Sequence, residues 1–100
     1  MKTDSVITGN RESGEVRIDG VRLDPLESQK LRNHSPDGFS WAYHGSGPSQ
    51  LALALLLEVM SPEQALNHYQ GFKRDVIATL PESDFVMSAS KIWGWVRENT

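Results

Sequence analysis

The side chains with chemistry to offer cluster in one stretch: His34, Asp37 and His44 fall within eleven positions, and Ser46 follows two residues after the second histidine. A nucleophilic serine needs a base within hydrogen-bond reach and a third group to orient that base. The residues around Ser46 match no nucleophile motif. A zinc ion asks for three or four ligands at characteristic spacings. His68 belongs to a different predicted element, and the chain has no cysteine. These histidines therefore read as ordinary loop residues, with no catalytic residue, metal or cofactor assigned.

The turn Gly45-Ser46-Gly47 has a second chemical reading. It precedes a predicted helix, whose free N–H groups and positive dipole end suit an anion or a nucleotide phosphate. It ends in neither Gly-Lys-Ser nor Gly-Lys-Thr, and Pro48 removes one donor. A tight strand-to-helix turn is the simpler reading.

The aromatics divide in the same way between recognition and packing. Trp41 and Tyr43 lie beside an apolar helix and are expected in the core. Ala89, Ile92, Trp93 and Val96 share one helical face. Trp95 lies about 200° around that helix from Trp93, so it is expected on the surface, as an anchor for a partner or a self-association contact, with packing along a neighbouring helix as the alternative.

These residues are positioned by the segment Phe39 to Met60. Phe39, Trp41 and Tyr43 alternate with smaller residues and predict a strand, which turns at Gly45-Ser46-Gly47 into a helix over Pro48 to Met60. Glu58 is the only charge from Leu51 to Met60, so this helix must be covered on most sides. Gln50 falls where a capping side chain would sit. Upstream, Ser5 to Thr8, Glu15 to Asp19 and Val21 to Leu23 predict short strands, with Asp19-Gly20 as a hairpin turn. Asp24 to Gly38 reads as a long loop with one helical turn, and long loops in small domains are often functional. Downstream, Ser61-Pro62-Glu63-Gln64 opens a second helix with a capping box. Asp84 to Met87 is extended, and Ser88 caps a last helix. The expected fold is α+β: a small antiparallel N-terminal sheet of three or four strands, the Trp41 strand included, on a buried central helix with two further helices.

One hundred residues support one domain with its own core, here 1–100. The net charge of −3 comes from 10 basic and 13 acidic residues without any basic run, which argues against general duplex binding. The apolar run from Leu51 is shorter than the roughly 20 residues a bilayer needs. The polar N-terminus lacks a secretion signal, and the absence of cysteine fits a reducing cytoplasm.

The stretch NHSPDGFSWAYHGSGPSQLALALLLE, Asn33 to Glu58, resembles a small uncharacterised family of bacteria, haloarchaea and their phages, a domain of unknown function. IDGVRLDP before it and HYQGFKRDVIATLP after it extend the resemblance over most of the chain. Ala42 stands where that family is associated with glycine, which implies that a small side chain is tolerated there. The resemblance brings no activity and no site residue. Its context implies an accessory protein of a phage or mobile element, including an inhibitor of a host defence complex such as a CRISPR system. The expectation is thus a non-enzymatic protein-binding module whose contacts are Arg32, His34 and Asp37 on the loop, together with Trp95. The alternatives are a nucleic-acid-associated regulator and an anion binder at Gly45 to Gly47.

Overall fold

In the computed structural model, which describes residues 1–100, the sheet is assembled on β1 (Val6–Gly9). β2 (Val16–Ile18) pairs with one side of it and β4 (Phe85–Ser88) with the other, while β3 (Val21–Arg22) lies outside β2. All pairings are antiparallel, with Ile7 opposite both Ile18 and Met87. Period-2 alternation puts Ile7, Val16, Phe85 and Met87 on the covered face. Val6 and Val86 are exposed on the other.

The hairpin turns follow from local chemistry. Asp19 and Gly20 both have positive φ, 51° and 80°, as a two-residue turn matching strand twist requires. Asp19 also accepts the Val6 amide through Oδ1 at 2.9 Å. That bond, followed by the Ser5 hydroxyl, holds its carboxyl below the usual range.

Four α-helices complete the fold: α1 (Leu26–Leu31), α2 (Ser46–Leu57), α3 (Pro62–Asp75) and α4 (Ala89–Asn99), with a 3-10 turn at Ile77–Thr79. α2 is the core element, with Leu51, Leu53, Leu55 and Leu56 all fully buried. At 100° per residue the successive buried residues Leu51, Ala52, Leu53 and Ala54 point around the whole circumference, so the helix is enclosed all round. Each of the four leucines contributes about 1.5–3 kcal/mol of burial. α3 is one-sided by contrast, burying Ala65, Tyr69 and Phe72. Its start carries the expected capping box, in which the Ser61 hydroxyl accepts from the Gln64 amide and the Gln64 side chain accepts from the Ser61 amide. Ser88 caps α4 as expected. No helix is long and apolar enough to cross a membrane.

The expected strand over Phe39 to Tyr43 is not formed, and the fourth strand comes from Phe85–Ser88 instead. The aromatics are held one by one. Trp41 is fully buried, donates through Nε1 to the Ser83 carbonyl at 2.9 Å and meets Phe85 edge-on at 4.8 Å. The Arg11 guanidinium lies over the Trp41 ring and donates to its carbonyl at 2.6 Å. Tyr43 is 46% exposed, so it is no core residue. Ala42 has φ 74°, a left-handed conformation that no continuous strand contains. That φ favours glycine over alanine here, in place of the expected tolerance of a small side chain within a strand.

Candidate functional site

A buried amide side chain at the head of the apolar run organises the surface above it. Gln50 is fully buried on α2. Its Oε1 accepts the backbone N–H groups of His34 at 2.8 Å and Ser35 at 3.0 Å. Its Nε2 donates to the Ser28 hydroxyl at 2.9 Å and to the Arg32 carbonyl at 3.1 Å. The reversed amide would set donors against donors, so the network fixes its orientation. Gln50 therefore ties down α1 and the chain after it, and the predicted capping role is replaced: no side chain caps α2.

The bonds around this clamp close the site. Ser28 Oγ donates to the Pro25 carbonyl at 2.9 Å, and Gln29 Nε2 donates to the Ser35 carbonyl at 2.9 Å. His34 Nε2 lies 2.6 Å from the Tyr69 hydroxyl on α3. Partial burial depresses the His34 pKa, with Arg32 and then Lys73 adding repulsion. The shift favours the neutral imidazole. Arg32, Asn33, Pro36 and Asp37 are left exposed on this anchored stretch. Beside it, Glu27, Lys30 and Leu31 of α1 face Leu57, Glu58 and Pro62 across an open groove of about 450 Å³.

The remaining predicted site residues lie elsewhere. Trp95 is not free on the surface: it is half-buried, stacks edge-on against Phe72 with centroids 5.2 Å apart, and donates to Asp75 Oδ2 at 2.9 Å. It seals α4 to α3, because its indole covers α3 while Ile92 faces the core. The bond from Trp95, followed by that from Arg74, lowers the Asp75 pKa. Of the expected Gly45 to Gly47 turn, only Gly45 precedes α2, because Ser46 and Gly47 already form its first turn; the two glycines permit close approach. A Cβ on Gly45 would meet the Tyr43 ring at 2.5 Å, and one on Gly47 would meet Ser40 Cβ at 2.7 Å. His34, Asp37 and His44 are not gathered into a metal-binding group.

Sequence reasoning missed Gln50, Ser28 and Tyr69. The available signal was a lone glutamine entering a run of leucines and alanines, where an uncompensated amide would be costly.

A model of a family of unknown function (DUF6166) matches residues 7–98. The chain belongs to this family. The match takes in the four strands except Val6 and all but the last residue of α4, so the clamp and the surface it holds are inside the family's domain. Neither a curated protein nor a solved structure matches the chain.

Proposed function

We propose that this member of the family is a non-enzymatic protein-binding module whose contact surface is α1 together with the segment from Arg32 to Asp37. The observation that carries the reading is the Gln50 clamp, which spends a fully buried polar side chain on an otherwise exposed polar stretch. Recognition surfaces are commonly loops positioned by a rigid scaffold, and a loop ordered in advance loses less entropy on binding. The groove beside α1 adds apolar surface from Leu31 and Leu57. Base-stacking platforms are less well served, since Trp41 is buried and Trp95 is engaged with Phe72 and Asp75. On this reading the protein works in the cytoplasm as an accessory factor of a phage or mobile element, with a host defence complex as the candidate target.

The test is affinity capture from host lysate with quantitative mass spectrometry, comparing the wild type with the double substitution Arg32→Ala, Asp37→Ala. Both side chains are exposed, so the melting temperature should not move. Loss of a specific captured protein at unchanged stability supports the reading. Identical capture by both proteins reduces the segment to a connector.

A further inference from the structure

The two edges of the sheet are treated differently, and the difference points to a second copy of this chain. β3 is two residues long and carries Arg22, opposite Arg17. Short, charged edges resist pairing with other strands. β4 has no such protection: Phe85-Val86-Met87-Ser88 contains no charge and no proline.

The ladder shows which groups that edge presents. The Ala89 amide donates to the Ser5 carbonyl at 2.8 Å, so the pair of residues 5 and 89 is hydrogen-bonded. Antiparallel alternation then makes Ile7 with Met87 and Gly9 with Phe85 the next bonded pairs. The backbone N–H and C=O of Val86 consequently point away from β1, as does the N–H of Ser88. No backbone bond outside the regular elements uses them. Val86 is 76% exposed and Val6, on the same open face, 43%.

We infer that β4 pairs antiparallel with β4 of a second copy, joining the two sheets into one of eight strands. A two-fold axis at Val86 makes Val86 a bonded pair with its own counterpart, and sets Asp84 opposite Ser88 of the second copy. Phe85 then lies across from Met87 of the second copy on the covered face, while on the open face the exposed Val86 side chains meet at the axis. Self-complementarity of this kind is what an isologous contact requires.

A four-residue edge gives weak association, so solution mass is measured by sedimentation equilibrium from micromolar to millimolar concentration. The expected result is a mass rising towards two chains, and a single-chain mass for Val86→Lys, whose exposed charge would sit on the axis. The absence of cysteine allows a second measurement without background. Val86→Cys should form a disulfide-linked dimer on mild oxidation, because Cα atoms of a bonded antiparallel pair lie about 5.5 Å apart, within disulfide range. Val21→Cys, on the other edge, should not. A single-chain mass throughout for the wild type overturns the inference, as does a dimer that survives Val86→Lys. Monomers whose β4 amides become protected only when a different protein is added would overturn it too, by giving the edge another occupant.

Discussion

Gln50 Oε1 lies 2.8 Å from the amide nitrogen of His34, sixteen residues earlier in the chain. That bond crosses from the most apolar helix of the molecule to an exposed polar segment, and it couples the two.

Replacing Gln50 with leucine keeps the volume and removes the partners of two backbone amides and a carbonyl. Each buried group left unsatisfied costs about 1–3 kcal/mol, so a total loss of about 3 kcal/mol is expected in urea unfolding. Amide exchange should quicken selectively over residues 28–35. A stability within experimental error of wild type would refute the clamp.

His34 makes the fold sensitive to acid. Its folded pKa lies below the unfolded value of about 6.5, so the native state binds fewer protons than the unfolded chain near that pH. The contribution is complete above pH 6.5 or so and is lost as pH falls through the folded pKa. The melting temperature of the wild type should therefore drop below neutrality before carboxylates titrate. His34→Gln should flatten that part of the profile, and a profile shared by both proteins would contradict the assignment.

Ala42→Gly should stabilise the protein, although it deletes a methyl group. At φ 74° an alanine carries roughly 1–2 kcal/mol of left-handed strain. Greater freedom of the unfolded glycine chain offsets part of this. A net gain of about 0.5–1 kcal/mol is expected from those two opposing effects, and a loss on chemical denaturation would show that the methyl packs favourably.

Trp95→Ala should cost about 2–3 kcal/mol, somewhat below a fully buried tryptophan truncation. Trp95→Phe should recover part of the loss by restoring contact with Phe72 while leaving Asp75 without its indole donor. A negligible loss for Trp95→Ala would return this residue to the exposed, partner-facing role that its helical angle alone predicts.

Helical position was legible where the signal is local. Ser61, Pro62 and Gln64 announce the start of α3, Ser88 that of α4, and the leucine run of α2 has no polar side to misplace. The Asp19-Gly20 turn was equally plain, because few residues accept two consecutive positive φ angles. The segment Phe39 to Tyr43 was not, since alternation of large and small residues looks the same whether or not a neighbouring strand exists. Here the alternate side chains find separate partners: Trp41 goes to Phe85, Arg11 and Ser83, while Tyr43 covers Gly45. The candidate site divides likewise. Arg32 and Asp37 were recognisable as exposed polar loop residues, but their anchoring depends on Gln50 and Tyr69, whose roles exist only once distant segments meet.

The central position of β1 also has a bearing on the order in which the protein folds. One of its flanks is satisfied by β2, close by in sequence, but the other waits for β4, which lies far along the chain. Contacts of such long sequence separation slow folding. The N-terminal hairpin therefore keeps a bare flank until β4 docks, and the indole of Trp93 closes back on the carbonyl of Met1 over a still longer span.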